Sequence, residues 1–435
     1  MRKNDKMIVT IEDETNLGYG VAKVDGMVIF IPDVMPLEQV EIQITKVKKT
    51  YAYARVVSII KQDSQRVNPK CEAAKICGGC QLQYRTYTSQ QLFKQKNMET
   101  LFSDYKVLDC ISADQPWYYR NKAQFPVQIK DGKVIMGFYR KHSNDIVQNS
   151  QCCIQSPSIN EIYQFLQKNL TLEDAAGLRH IFVRSSKQGQ SQIVFIGKQN
   201  NGWDALIQKL IKEIPDVVSI FYNHNDMNNN VILGDTFECL YGESELKMQY
   251  MDLEVFVSFQ SFFQVNTQQM EKLYQVAADA FHPNKEMRVV EFYSGLGTIG
   301  MSIAHRVKEV IGVDIVPSAV EDARKNCEIN GIKNCFYECK DATEFAAQMV
   351  REKQKVDVVI VDPPRKGCTL QGIEDMSSLN AKNIVYVSCN PVTLKRDVKH
   401  FEEKGYQVQW IQPVDLFPQT IHVEAVCLLN NQNEG

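Results

Sequence analysis

VVEFYSGLGTIGMSIAHRVKEVIGVD, residues 289–314, reads as strand, glycine loop, helix and strand. Gly295 and Gly297 permit a tight turn and let the backbone approach a ligand closely. A helical pattern follows Gly297, and the apolar run EVIGVD then ends on Asp314. A carboxylate at such a strand end, about 20 residues past the glycine loop, can accept hydrogen bonds from ribose hydroxyls. Glycine loops also occur in plain turns. With a strand before, a helix after and the acid at this distance, the stretch points to a nucleoside cofactor in an α/β fold.

The pattern continues on both sides. A helix is expected from Gln268 to Phe281, and another at SAVEDARKNCEIN. Strands are expected at NCFYEC, VDVVIVD, NIVYVS, YQVQWIQPV and HVEAVCLL. Short buried strands separated by helices predict a parallel, doubly wound sheet over residues 265–435. The last two strands lack an intervening helix, which predicts an antiparallel edge pair. Residues 61–264 read as a central, mainly β domain, with strands at VIMGFYRK, HIFVRSS, SQIVFIG, VVSIFYN and LEVFVSF. Helical pieces there are SQQLFKQKNMETLF and SINEIYQFLQKNL. Residues 1–60 are all β, with turn signals at Gly18, Gly20, Asp25 and Gly26, and predict a small OB-like barrel.

A chain of 435 residues accommodates these three domains. No run of about 18 apolar residues exists, so no membrane span is expected. MRKNDKMIVTIEDE turns polar and acidic too soon for a signal peptide, so a cytoplasmic protein is expected. The net charge of −3 announces no nucleic-acid partner. Between Glu41 and Lys70, however, seven basic residues face two acidic ones. That run suits phosphate contacts, or else is simply a solvated face.

The 13 cysteines of a chain expected in a reducing compartment suggest metal binding or catalysis before disulfides. Cys71, Cys77 and Cys80 form C-x5-C-x2-C, and Cys152 or Cys153 offers a fourth ligand. Zinc sites more often show two C-x2-C pairs. Three clustered thiolates with a distant partner suit a [4Fe–4S] cluster better, and a bare reduced loop is the third reading. Cys110, Cys239, Cys327, Cys335, Cys339, Cys368 and Cys427 show no ligand spacing and are assigned to packing.

Two more strand ends carry chemistry. VVIVDPPRKG ends a strand on Asp362, with two prolines fixing the next loop. VYVSCNPVTLKRD, residues 385–397, ends a strand on Cys389. Strand carboxyl ends are where α/β proteins bind ligands. A thiolate adding to carbon-6 of uracil turns the ring into an enolate whose carbon-5 can attack a methyl sulfonium. A base must then remove the carbon-5 proton before the cysteine is expelled. Glu424 in HVEAV is a candidate base. His422 is nearby, but a lone histidine is more often structural.

The glycine loop resembles motif one of S-adenosylmethionine-dependent methyltransferases more than a dinucleotide fingerprint. The chain as a whole resembles RNA uracil-C5 methyltransferases on FFQVN (Gln264), EFYSGLG (Tyr293), GVDI (Asp314), DPPRKG (Asp362), SCNPVTLKRD (Cys389) and HVEAV (Glu424). The resemblance implies that Cys389 is the nucleophile and Glu424 the proton acceptor. It also implies that Gln264, Tyr293, Asp314 and Asp362 contact the methyl donor. Asp341, after NCFYEC, stands where that fold often contacts adenine; otherwise it is an ordinary loop aspartate. Some relatives have Asn at the position of Thr298 and Glu at that of Asp314, and both can still hydrogen-bond.

The N-terminal barrel resembles a TRAM domain. The cysteine spacing resembles the iron–sulfur site of the ribosomal-RNA branch, whose QC-x-I segment points to Cys152 as fourth ligand. The resemblance therefore implies a 23S ribosomal RNA partner, because the tRNA branch typically lacks both barrel and cluster. A monomer is expected, since a long RNA needs open access to the crevice. A tRNA uridine methyltransferase would share every catalytic motif. An adenine-N6 enzyme would need neither Cys389 nor Glu424 and usually has Tyr or Phe where Arg365 stands. A non-catalytic RNA-binding or redox-sensing protein would leave the crevice idle.

Overall fold

The strand Gln39–Val47 sends Val40, Ile42 and Ile44 to one side and polar residues to the other, the period-two pattern of a half-buried strand. It belongs to a six-stranded sheet ordered Lys6–Thr10, Gln39–Val47, Tyr51–Lys61, Met27–Pro32, Tyr19–Val24, Asp13–Glu14. The sheet wraps a core that includes Ile11, Ile29 and Ile31. The protein is described here by a computed structural model over residues 1–432.

The central region is a second six-stranded sheet, ordered Thr236–Gly242, Val217–His224, Ser191–Gly197, Leu178–Ser185, Lys122–Lys130, Lys133–Met136. Every residue of Ser191–Gly197 is buried because both faces are covered. Helices Pro157–Asn169 and Asp204–Glu213 pack one face. Phe182, Val194, Phe221 and Phe259 cluster on the other. The helix Asp204–Glu213 is absent from the reading above, although its apolar positions 206, 207 and 210 are helically spaced.

The C-terminal sheet has seven strands, ordered Cys335–Cys339, Glu309–Asp314, Arg288–Phe292, Val358–Val361, Asn383–Ser388, Glu424–Asn431, Tyr406–Val414. The first five are parallel, and the last two form the antiparallel edge pair. Helices Thr267–Asp279, Thr298–Ile303 and Pro317–Ile329 cover one face, and Ala342–Arg351, Leu370–Ser378 and Pro391–Glu403 the other. From Arg288–Phe292 the chain first builds outward on one side, then returns to build outward on the other. The crevice at this reversal, beyond the carboxyl ends of Arg288–Phe292 and Val358–Val361, is where such sheets bind ligands.

Two segments upstream of residue 265 pack into this C-terminal core. Met98 and Phe102 at the end of helix Tyr87–Leu101 lie on the second face, and the hairpin Glu245–Tyr250/Leu253–Ser258 lies on the first. Burying Met98 and Phe102 stabilises that docking by about 1.5–3 kcal/mol each. The boundary at residues 264/265 thus follows the change of sequence pattern, while the packing unit begins earlier. Among the described residues, no helix is long and apolar enough to cross a membrane.

Candidate active site

The glycine loop is held by its own backbone and by Asp314. Ser294 N donates to Val313 O at 3.0 Å, and Gly297 N to Ser294 O at 2.7 Å. Asp314 accepts from Gly295 N at 2.8 Å and from Val316 N at 2.9 Å, one oxygen for each. Tyr293, Gly295 and Gly297 all have positive φ. A Cβ on Gly297 would collide with the Tyr337 ring, whose hydroxyl donates to Gly297 O at 3.0 Å. A Cβ on Gly295 would meet nothing within 4 Å. One glycine is therefore needed for packing, and the other faces open space.

Around this space stand the other candidates. Buried Gln264 offers its carbonyl to Asn121 Nδ2 at 2.9 Å, and Asn121 N donates to Val265 O at 2.8 Å, so the central sheet pins the FFQVN segment. The Tyr274 phenol lies beside Thr298, Gln264 and Asp362, and burial raises its pKa far above the usual value. Burial pushes Asp362 up to about 7. Glu291 behind the loop is pushed up to about 8 by burial and then by Asp362 and Asp314, while its Oε2 accepts from Gly300 N at 3.0 Å. Asp341 is the N-cap of Ala342–Arg351, accepting from Thr343 N at 2.8 Å and Glu344 N at 3.2 Å. Its charge also helps raise the Tyr293 phenol, after burial and Cys368.

Cys389 follows strand Asn383–Ser388 directly. Ser388 pairs with Ala425, so the next step of that antiparallel register sets Cys389 opposite Glu424. Opposed residues on one face hold their Cβ atoms about 4.5–5.5 Å apart. Glu424 is 2% exposed, and burial, then Asp362, pushes it up to about 8 against the pull of Arg365. Burial, then Glu424 and Asp362, pushes Cys389 up to about 11, again opposed by Arg365. The sequence led us to expect an activated thiolate. Burial first, and then the neighbouring Glu424 and Asp362, favour the thiol over that thiolate, with Arg365 opposing them.

The DPPRKG and SCNPVTLKRD motifs are stitched together. Asn390 Nδ2 and Thr393 Oγ1 donate to Arg365 O at 3.0 and 3.3 Å. Fully buried Asp397 accepts from Cys368 N at 2.8 Å and from the Tyr386 hydroxyl at 2.7 Å, and pairs with Arg396. Gly367 has φ 77, and a Cβ there would strike Asp397. Much of the two signatures thus builds the turn that presents Cys389. In front of Cys389 lies an open groove of about 630 Å³, lined by Arg365, Asn390, His422, Lys96 and Leu17 among others. The N-terminal sheet forms one wall of it, docked through Arg85–Glu14 at 2.6 Å and Lys96–Asp13 at 2.8 Å.

Cys71, Cys77, Cys80 and Cys152 line a separate cavity of about 240 Å³, together with Cys153. Burial raises Cys80 to about 12 and Cys152 to about 11, and neighbouring thiols add to both shifts. Cys80 senses Cys152, Cys77 and Cys71. Among the described residues, no three or more His, Cys, Asp or Glu side chains are drawn together to hold a single metal ion. Cys327, Cys335, Cys368 and Cys427 are buried, as packing requires, and Cys110 is partly buried. Cys239 and Cys339 are exposed, so packing does not account for them.

Tyr274, Asn121 and Asn390 escaped the sequence reading as site residues. Tyr274 sits on the apolar stripe of its helix and reads as core. Asn121 carries no local signal, since its partners are more than 140 residues away.

Comparison with known proteins gives consistent results. The tRNA (Uracil-5-)-methyltransferase family model matches residues 86–432, and the TRAM domain model matches residues 3–57. The chain is 38% identical to an uncharacterized RNA methyltransferase of Oceanobacillus iheyensis, over 99% of this chain and 97% of that one. It is 39% identical to one of Staphylococcus aureus, over 98% of each. Among solved structures, it resembles a Pyrococcus abyssi tRNA (uracil-54, C5)-methyltransferase in complex with S-adenosyl-L-homocysteine. That likeness has a TM-score of 0.79 and 27% identity, and covers 97% of this chain and 99% of that one. It extends over the N-terminal sheet, so that sheet also occurs in an enzyme named for tRNA and cannot by itself select ribosomal RNA.

Proposed function

The chain belongs to the tRNA (uracil-5-)-methyltransferase family of S-adenosylmethionine-dependent RNA methyltransferases, and within it we propose that this protein methylates carbon-5 of a uridine in 23S ribosomal RNA. The observation that carries the chemistry is the register setting Cys389 opposite Glu424 at the mouth of the crevice. S-adenosylmethionine supplies a methyl sulfonium. Gln264, Tyr293, Asp314, Asp341 and Asp362 are the side chains we assign to holding it, with Gly295 leaving room for its approach.

The target base leaves its stack and enters the groove. Cys389 loses its proton to water in the open groove, so Glu424 stays free to act later as base. Cys389 Sγ forms a bond to carbon-6, and the electron pair of the ring double bond moves to the carbon-4 oxygen. Arg365 favours the thiolate and is placed to offset the negative charge that develops on the ring. The enolate carbon-5 would take the methyl group from the sulfonium, whose S–CH3 bond breaks to leave a neutral thioether. Glu424 then removes the carbon-5 proton, the carbon–sulfur bond breaks, and the double bond re-forms. A carboxylate near pKa 8 is a stronger base than an exposed one, which suits a weakly acidic C–H.

We assign Cys71, Cys77, Cys80 and Cys152 to a [4Fe–4S] cluster. Such a cluster would take four cysteine thiolates as its ligands. Four thiols lining one cavity are a donor set of that kind. Ligation would deprotonate these thiols, and the positive charge of the iron would offset the thiolate charge that burial disfavours. Methyl transfer and proton removal need no net electron, so the group serves as a staple joining residues 71–80 to residue 152.

The ribosomal substrate rests on the likeness of this cysteine spacing to the ribosomal branch and on the open groove, which suits a long RNA and a cytoplasmic, monomeric enzyme. The second reading is a tRNA uridine, favoured by the Pyrococcus enzyme's name. One experiment tests both. The protein, S-adenosylmethionine and RNA fragments bearing 5-fluorouridine are incubated beside a Cys389→Ala control. Fluorine cannot leave as a proton, so the enzyme should stall covalently on its substrate. Trapping on tRNA alone would overturn the ribosomal reading. No trapping on either RNA would overturn the role of Cys389.

A further inference from the structure

Glu424 and Val414 are paired across the last antiparallel ladder, and the chain between them, residues 415–423, leaves the sheet and returns. The elements strapping that excursion lie outside the C-terminal sheet. Its apex is Gln419, a non-glycine residue at φ 71, a left-handed conformation that costs about 1–2 kcal/mol. The Gln419 carbonyl accepts from Gln81 N at 3.1 Å and Leu82 N at 3.0 Å. Its side chain and backbone form a reciprocal pair with the Gln90 amide: Gln90 Nε2 donates to Gln419 Oε1 at 2.9 Å, and Gln419 N to Gln90 Oε1 at 2.8 Å. Both glutamines are 1% exposed. Tyr119 donates to Pro418 O at 2.9 Å, while Lys94 and Tyr87 grip Asp415 at 2.5 and 2.9 Å.

The first of these anchors is the peptide that joins Cys80 to Gln81. The cysteine loop therefore touches the excursion that ends on Glu424. Cys389 is held differently, by its own strand and by Asn390 and Thr393 on Arg365 O. The glycine loop is held by Asp314. Those supports lie inside the C-terminal domain, which also bonds the start of the excursion, through Asn266 Nδ2 on Leu416 O and Gln269 Nε2 on Asp415 O, both at 3.0 Å. The Gln419 apex, five residues before Glu424, is held from the cysteine loop and the Gln90 helix. Strained backbone held in place by surrounding bonds is what a position requiring fine placement looks like.

We propose that the cysteine loop, acting through Gln81–Leu82 and the Gln90–Gln419 amide pair, positions Glu424, so that it governs removal of the carbon-5 proton and leaves nucleophilic addition and methyl transfer untouched. This rests on the roles of Cys389 and Glu424 proposed above. Gln90 and Gln419 are positioning residues, with no contact to the reacting atoms. The chemistry gives the proposal a signature. If the base is displaced, Cys389 still adds and carbon-5 is still methylated, but the adduct cannot collapse. Ordinary uridine then behaves as fluorouridine does.

The test uses full-length protein with Gln90→Leu, and separately Gln419→Gly, which removes the amide while relieving the left-handed strain. Each is incubated with substrate RNA containing unmodified uridine and S-adenosylmethionine labelled in its methyl group. The expected result is turnover about 10- to 100-fold lower, the cost of roughly an ångström of misplacement. A denaturation-resistant protein–RNA adduct carrying the methyl label should accumulate, with S-adenosylmethionine affinity unchanged. Cys80→Ser should give the same labelled adduct. Turnover lost without a labelled adduct, or lost in parallel with cofactor affinity, would overturn the proposal, as would unchanged turnover in both glutamine variants. If one variant does not fold, the other decides. The wild-type fluorouridine assay reports separately on the underlying mechanism, so failure of that mechanism is distinguishable from failure of the strap.

Discussion

Gly295 and Gly297 sit two residues apart in one loop, both at positive φ, and alanine should affect them unequally. Any L-residue in the left-handed region carries about 1–2 kcal/mol of strain. At Gly297 the new methyl group also strikes Tyr337, which is boxed in and anchored by its hydroxyl on Gly297 O. Overpacking of that kind adds about 1–3 kcal/mol. Gly297→Ala should therefore destabilise the C-terminal domain by about 2–5 kcal/mol. At about 2–4 °C per kcal/mol for a unit of this size, the midpoint should fall by roughly 4–20 °C. At Gly295 no atom lies within 4 Å of the added carbon, so only the backbone strain remains and the midpoint should fall by roughly 2–8 °C. The open space there is what we assign to the methyl donor. Gly295→Ala should thus lose S-adenosylmethionine affinity out of proportion to its stability. Thermal unfolding and equilibrium binding on the same preparations measure both quantities. Equal destabilisation by the two variants, or full cofactor affinity in Gly295→Ala, would refute the division of labour.

Other outcomes follow from the same geometry. Glu424→Gln should lower turnover by about 10²–10⁴-fold while accumulating methylated covalent adduct on ordinary uridine RNA, read on a denaturing gel. Wild-type turnover should rise with pH toward about 8, as Glu424 deprotonates, and this rise should be absent in the residual activity of Glu424→Gln. Glu291 has a folded pKa raised from 4.5 to about 8, so its contribution to stability is complete below pH 4.5 and is lost as pH rises through 8. Glu291→Gln, which keeps an acceptor for Gly300 N–H, should flatten that loss in denaturant titrations between pH 5 and 8.5. Asp397→Ala leaves the Cys368 N–H, the Tyr386 hydroxyl and Arg396 without their acceptor and should cost about 3–5 kcal/mol in chemical unfolding. Cys152→Ser should remove iron and visible absorbance from purified protein, and Cys153→Ser should retain both.

The strand ends were the readable part of the site. A buried parallel strand must be a short apolar run, and the residue after it must enter the crevice. VVIVD and VYVSC therefore displayed Asp362 and Cys389 before any coordinates. The glycine spacing displayed the loop for a similar reason, because only glycine adopts its conformation beside Tyr337 without strain. The helix Tyr87–Leu101 reads as an ordinary polar helix near a cysteine motif. Its Lys94 is nevertheless fully buried on Asp415, a partner 321 residues away. No periodicity encodes such a pairing.

While the roles of Cys389 and Glu424 and the choice of Cys152 came only from the family resemblance, the sequence alone therefore determined the fold class and set Asp314, Asp362 and Cys389 at strand ends and Cys71, Cys77 and Cys80 in one cluster. These depend on local rules, hydrophobic period and backbone freedom, which act over a few residues. Tertiary structure alone decided that Cys389 faces Glu424 across a ladder and that Asp397 locks two motifs into one turn. It also decided that burial, with Glu424 and Asp362 nearby, raises the Cys389 thiol, and that the cysteine loop is bonded through Gln419 to the segment that leads into Glu424. Each of those depends on which side chains meet in three dimensions and how far water is excluded from them. Burial and long-range pairing are properties of the packed chain, and they set the pKa values and distances on which the chemistry depends.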